Sequence, residues 1–399
     1  MRVEHGSELL STVDSSGMTR RVVIVVCDGL GVGAAPDAEA YGDAGSDTLG
    51  HVLERHPTPL PNLESLGLLA LAGRGRETGA RGKAMELSAG KDTTTGHWEM
   101  MGLVVERPFP LYPEGFPPEI VLPFERHAGK RVLGNRAASG TEIIQALGPE
   151  HLATGRPILY TSGDSVFQVA AHEDIWPPEK LWELCRFARG ILKGEHLVGR
   201  VIARPFIGTP GRFARTANRR DFTVEPAGET WLDRLAAAGR TVFGVGKIVD
   251  IFSGRGITDS VHTASDLEGM RVTADALRGD RADVVFTNLV DFDSKYGHRN
   301  DPAGYAKNLA SLDALLPNLL AAMRPDDLLF VTADHGCEAT DVSTDHTREF
   351  VPLLAAGRAV GSDVDLGVRR SFCDLAATAG EWMGVAAPRG ESALARLLL

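Results

Sequence analysis

Three aspartates and three histidines in this chain fall where a divalent-metal site could be assembled. Asp28 ends the apolar run "RVVIVVCDG", and Asp293 and His298 lie five apart in "VDFDSKYGHRND". Asp334 and His335 are adjacent in "TADHG", and His346 follows eleven residues after His335 in "TDHTREF". Carboxylate and imidazole donors without thiolate suit manganese, zinc or magnesium-like ions, and six donors are enough for two ions with three protein ligands each. Two such ions can clamp the attacking and leaving oxygens of an in-line phosphoryl displacement. Each segment also has a plainer reading. Asp28 taken alone could be a capping group, Asp293 could cap a helix in a hydrogen-bonded turn, and a lone histidine is more often structural than a ligand. The set, not any one member, points to metal.

A nucleophile for that chemistry is offered by "GKDTTTGHWEMMG" (90–102). A threonine run suits extended backbone and would also serve as a phosphorylation tail, but neither reading accounts for Gly96-His97-Trp98. A hydroxyl beside a divalent ion is readily deprotonated. Thr93, after Lys91-Asp92 and before an expected turn at Gly96-His97, is the candidate. The glycines of "CDGLGVGAAPDA" fall at 29, 31 and 33, and Ala34 and Pro36 stand where a dinucleotide fingerprint needs its third glycine, so that reading fails. Cys27 and Cys337 flank the candidate ligands and are expected to alternate away from them as small buried hydrophobes.

The elements that must position these residues follow from the apolar pattern. "RVVIVVCDG", "DVVFTNLVDFD" and "DLLFVTADHG" read as buried strands that each stop at an acidic residue. Helical patterns lie at 229–240, 302–323 and 371–383, and strands alternating with helices imply an α/β fold with a mostly parallel sheet covered on both faces. Ligands of such sheets collect at the carboxyl ends of the strands. The stretch 107–123 holds six of the 22 prolines and is not expected to form a long regular element. Residues 106–226 are therefore expected to be an inserted domain within a core formed by 21–105 and 227–399, after a polar extension over 1–20.

Composition narrows the partners. A formal charge of −11 argues against a general nucleic-acid binder. The longest aliphatic run, Val22 to Val26, is far short of a membrane span. Four scattered cysteines with no C-x-x-C pair suit a reducing cytoplasm. The expected partner is a small molecule, with neither nucleic acid nor membrane.

Together, "CDGLGVGAAPDA", "GKDTTTGHWEMMG", "DSVFQVAAHE", "VGKIVDIF", "VDFDSKYGHRND" and "TADHGCEATDVSTDHTREFVPLL" closely resemble the phosphopentomutase family of the alkaline phosphatase superfamily, from about residue 21 onward. The resemblance implies an alkaline-phosphatase-like three-layer core with an inserted α+β cap. It implies interconversion of ribose 1-phosphate and ribose 5-phosphate, and of the 2-deoxyribose pair, in nucleoside salvage. By motif position Thr93 would be the phosphorylated nucleophile. Asp28, Asp334 and His335 would hold one ion, and Asp293, His298 and His346 the other. Two Mn2+ are implied, with a sugar bisphosphate such as glucose 1,6-bisphosphate as activator. Asp164 of "SGDSV", Arg204 of "VIARPF" and Lys247 of "GVGKI" would contact substrate. His97 is either a polar neighbour of the site or purely structural. The alternatives are a phosphatase or phosphoglycerate mutase on the same core, or a non-catalytic sugar-phosphate-binding protein.

Overall fold

The computed structural model describes residues 20–162 and 165–398. Apart from Arg20, the expected polar extension lies outside the described residues, and so does Asp164. The chain divides into two compact units, Met1–Arg107 with Pro226–Leu399, and Pro108–Glu225.

Along the chain the first unit supplies β1 (Arg21–Cys27) and β2 (Gly79–Ala84). The second supplies β3 (Leu133–Ala137), β4 (Ile158–Thr161), β5 (Val166–His172), β6 (Arg200–Ile207), β7 (Ala214–Arg215) and β8 (Arg220–Thr223). The first resumes with β9 (Val242–Val245), β10 (Asp259–Val261), β11 (Val284–Leu289), β12 (Asp327–Thr332), β13 (Val351–Ala356) and β14 (Asp363–Arg369).

In the first unit the sheet order is β10-β9-β11-β1-β12-β13-β2-β14, and only β13 runs against the others. Every residue of β1, β11 and β12 is buried, as central parallel strands covered on both faces require. The two faces are visible in β11, where side chains alternate. Thr287 Oγ1 lies 2.6 Å from Thr273 Oγ1 of the helix Asp266–Arg278, whereas the neighbouring Phe286 ring is 5.9 Å from that of His97 in the helix Thr93–Met100.

The second unit has its own sheet, β3-β4-β5-β6-β7, with β8 paired to β6 and both strand senses present. Alternation again makes two cores. Phe167, Val169 and Ala171 of β5 pack with Phe124, Leu181 and Leu184. Ala170, between them, packs with Ile143, Ile144 and Phe206. The proline-rich stretch is more regular than expected, because an 11-residue helix, Pro118–Ala128, starts inside it. Pro118 occupies the first helical position, where a missing N–H costs nothing.

Candidate active site

β11, β1 and β12 lie side by side and parallel, so their carboxyl ends share one edge. Asp28 follows β1, Asp293 follows β11, and Asp334 and His335 follow β12. β13 runs the other way, so the segment that enters it, carrying His346, reaches the same edge. β2 runs with β1, and the chain beyond it leads to the helix Thr93–Met100.

That helix begins by a reciprocal cap. The Asp92 side chain accepts from the backbone N–H of Thr94 (3.0 Å) and Thr95 (3.1 Å), while the Thr95 hydroxyl folds back on Asp92. Thr93 is thereby placed at the first helical position, where an anion on its Oγ1 would meet the positive end of the helix. The expected turn at Gly96-His97 is instead helical, because the cap has already started the helix at Thr93. Gly96 packs flush on the Asp334 carbonyl, and a Cβ at this position would overlap it. Thr93 Oγ1 sits 3.3 Å from His335 Nε2.

The six candidate ligands gather around this point. Asp28, Asp334 and His335 offer donor atoms within 4.8 Å of one another, and so do Asp293, His335 and His346. His298 joins the second group. Its Nε2 is 3.3 Å from Asp293 Oδ2 and 3.2 Å from His346 Nε2, and His346 Nε2 is 3.4 Å from Asp293 Oδ1. The His335 and His346 rings stack at 3.9 Å. Asp28 is no cap: its Oδ2 accepts from Asn288 Nδ2 at 2.9 Å.

Whether these residues suit divalent ions is decided by their unused oxygens. Asp28 Oδ1, Asp293 Oδ1 and Asp334 Oδ2 are buried with no hydrogen-bond partner among the described residues. Buried polar atoms are nearly always paired, so three orphaned carboxylate oxygens beside imidazole nitrogens fit a cation. The charge balance agrees. Burial and the neighbouring Asp334 raise the pKa of Asp28. Burial opposes ionisation of Asp334, yet His335 and His97 hold it down at about 2. For Asp293 burial is likewise outweighed, here by His346 first, and its pKa is depressed. For His335 burial favours the neutral ring, but Asp334 and Asp28 carry its pKa well above the ordinary value. The carboxylates ask for positive charge, and the imidazoles answer only part of it.

Lys247 stands exposed just past β9, which runs parallel to β11. Arg204 lies in β6 of the second unit, where its Nη2 donates to Gln168 Oε1 at 3.0 Å. Cys27 is fully buried at the end of β1. Cys337 is buried as expected but does not turn away from the ligands. β12 stops at Thr332, so the strand pleat does not carry to residue 337, and Cys337 Sγ comes within 4.8 Å of donor atoms of Asp293 and His298.

Several supporting residues were missed from sequence. Glu99 is fully buried, between Trp98 and Met100, and accepts from Leu87 N, Ser88 N, Ser88 Oγ, Ser371 Oγ and Phe372 N. The buried Arg348 guanidinium reaches Asp37, Glu86 and the carbonyls of Glu86, Ser88 and Gly90. Glu349 and Asn288 complete the set. The available signal was a charged or amide residue inside an otherwise apolar run, as in "HWEMM", "REFVPLL" and "VVFTNLV".

Comparison with known proteins bears on this arrangement. The family described as Metalloenzyme superfamily matches residues 20–387. Phosphopentomutase of Caldanaerobacter subterraneus subsp. tengcongensis is 55% identical over 374 residues, covering 92% of this chain and 95% of its own. That of Carboxydothermus hydrogenoformans is 53% identical over 380 residues, covering 94% and 98%. The solved structure of a protein in the alkaline phosphatase superfamily from Vibrio parahaemolyticus aligns with 100% of this chain and 76% of that one, at 13% identity and a TM-score of 0.45. With more than half of its residues shared with curated relatives over nearly their whole length, the chain belongs to the phosphopentomutase family, a family of mutases within the metalloenzyme superfamily.

Proposed function

We propose that this chain interconverts ribose 1-phosphate and ribose 5-phosphate, and the 2-deoxyribose pair, with Thr93 as the group that carries phosphate between turnovers. The observation that carries the reading is Thr93 Oγ1 at a helix start, 3.3 Å from His335 Nε2 and beside three carboxylates with unused oxygens. Two divalent ions, Mn2+ in this reading, held by Asp28, Asp334 and His335 and by Asp293, His298 and His346, supply when bound Lewis-acid stabilisation of the transferring phosphoryl group.

Phosphorylated Thr93 donates its phosphoryl group to the free hydroxyl of the bound monophosphate. The threonine oxygen keeps the electron pair of the broken P–O bond, the proton of the attacking sugar hydroxyl passes to that oxygen to restore the threonine hydroxyl, and a 1,5-bisphosphate forms. The sugar turns round, the other phosphoryl group passes to Thr93 Oγ1, and the isomeric monophosphate leaves. Thr93 suits this role better than Thr95. The Thr95 hydroxyl is committed to the Asp92 cap, whereas Thr93 Oγ1 faces His335. Water must be kept from the phosphothreonine while the sugar turns. We assign that task to the unit Pro108–Glu225 as a cap, with Asp164, Arg204 and Lys247 as the substrate contacts.

The test is ribose 5-phosphate formation from ribose 1-phosphate with Mn2+, primed by glucose 1,6-bisphosphate, with released inorganic phosphate measured alongside. Thr93→Ala is expected to abolish turnover and Thr94→Ala to retain it. Mass spectrometry is expected to find phosphate on Thr93, and phosphate on Thr94 or Thr95 instead would overturn the assignment. Hydrolysis that outruns isomerisation would favour a phosphatase.

A further inference from the structure

His97 and Asn288 link the helix that bears Thr93 to a carboxylate on the neighbouring strand end. His97 is fully buried one helical turn beyond Thr93. Its Nδ1 lies 2.8 Å from the Thr93 carbonyl oxygen and 3.1 Å from Asp334 Oδ2. Both neighbours are acceptors, so Nδ1 carries a proton, and in the neutral ring Nε2 presents its lone pair. Facing that lone pair at 3.4 Å is Asn288 Nδ2. The same amide nitrogen has a second hydrogen, which it donates to Asp28 Oδ2 at 2.9 Å. The carboxylate fixes this orientation, because a turned amide would set two acceptors against each other. Asn288 Oδ1 is buried without a partner among the described residues, so no competing donor pulls the amide the other way. The result is a continuous path from the Thr93 carbonyl through imidazole and amide to Asp28, with Asp334 flanking the imidazole.

Two details give the path a purpose beyond filling space. The Nδ1–H aligns on the Thr93 carbonyl, leaving Asp334 Oδ2 close by with no aligned donor. Asn288 likewise occupies only Oδ2 of Asp28 and leaves Oδ1 unpaired. Asn288 therefore fixes Asp28 while sparing the oxygen an ion would take, and His97 stands against Asp334 Oδ2 without claiming it, the other oxygen being held by Gly29 N–H. Resting on the reading of Thr93 as nucleophile and of Asp28 and Asp334 as ligands, we infer that His97 and Asn288 are positioning residues. They hold the start of the Thr93 helix and the Asp28–Asp334 pair in one fixed relation, so that ion binding at this pair and delivery of the Thr93 hydroxyl are coupled. Neither touches the reacting atoms.

The test uses the full chain stripped of metal by chelation. Mn2+ binding is followed by calorimetry for the wild type, His97→Ala, His97→Asn, Asn288→Ala and the His97→Ala/Asn288→Ala pair, with thermal melts as a folding check. Loss of a partner that orients a ligand costs about 10–100-fold in metal affinity. Each alanine variant is expected to weaken one of two binding events by that factor and to leave the other unchanged. The double variant should be no weaker than the poorer single one, because the two residues act as one bridge. His97→Asn, which restores a donor near the Thr93 carbonyl, should recover part of the affinity. Unchanged affinity, equal weakening of both events, or strictly additive losses would each overturn the inference. If a variant melts early, Asn288→Ser, which keeps a short polar side chain, is measured under the same criteria. Wild-type phosphate found off Thr93 would refute the nucleophile reading, while the affinity series still decides whether the bridge orients the ligands.

Discussion

Glu349 is a buried acid placed so that its charge can be removed without disturbing its contacts. It is 2% exposed, and its carboxylate ties three segments of the catalytic edge together. Oε1 accepts from the hydroxyls of Thr48 and Thr347, each at 2.7 Å. Oε2 accepts from the backbone N–H of Thr48 (3.0 Å) and Gly33 (3.2 Å). Gly31 leaves room for it, since a Cβ there would overlap the carboxylate. Burial raises the pKa from 4.5 to about 7 despite the hydrogen bonds from Thr48 and Thr347 that favour the ionised form. A shift of that size corresponds to about 3 kcal/mol, at ~1.4 kcal/mol per unit. The folded chain keeps a proton that the unfolded chain gives up above pH 4.5. The associated stability is thus fully present below 4.5 and is lost as pH rises through about 7. Glu349→Gln ends the titration. The amide oxygen can take the Oε2 position, where both partners are N–H groups. The NH2 can take the Oε1 position, where both partners are hydroxyls able to turn and accept. The variant is expected to match wild type at about pH 4 and to exceed it by up to about 3 kcal/mol at about pH 8. Urea denaturation of both proteins, with chelator present so that no cation contributes, gives the comparison. A stability difference that stays constant across that range would refute the reasoning.

Removal of other buried charges should be costly. Glu99→Ala strands three backbone N–H groups, from Leu87, Ser88 and Phe372, and should destabilise by about 3–5 kcal/mol. A denaturation curve within about 1 kcal/mol of wild type would contradict this. Arg348→Ala leaves the buried Glu86 without its cation and should cost about 3–5 kcal/mol. Arg348→Lys should restore little of it, because a single ammonium replaces a fork that reaches two carboxylates and three carbonyls, and recovery to wild-type melting would show the fork to be dispensable.

The parts of the fold that were legible are those where burial is uniform. β1, β11 and β12 are buried from end to end because they lie between two layers, and each stops within four residues of a candidate ligand. The helix expected over 302–323 is present as Pro302–Leu320 for the converse reason, one face apolar and the other wet. The helix Thr93–Met100 was not legible. Three threonines, a glycine and a histidine have poor helix propensity, and residues 95–100 are all buried, which erases any amphipathic period. It exists because Asp92 caps it and the protein encloses it. The misjudged Cys337 has a related cause: alternation was extrapolated past the last hydrogen-bonded residue of β12, where the chain no longer pleats.

What the local motifs leave unstated is how Asp28 and Asp334, 306 positions apart, come to face the same way. The answer lies in strand register. β1 and β12 pair Val26 with Thr332, so Asp28 and Asp334 each follow by two residues the same last rung of the strand pair. The backbone N–H of Gly29 then donates to Asp334 Oδ1 at 3.0 Å and seals the alignment. A slip of one residue would turn the whole set of side chains to the other face. The opposite end of the same strand pair guards against it. Arg21 and Asp327 are register partners there, joined by a buried two-pronged ion pair of 2.9 and 2.5 Å. A shifted pairing would draw Arg21 away from Asp327 and leave that buried carboxylate without its cation, at a cost of several kcal/mol. An ion pair at one edge of the sheet thus helps to specify which carboxylates meet at the other. The spacing of the candidate ligands in sequence has functional meaning only because that register holds.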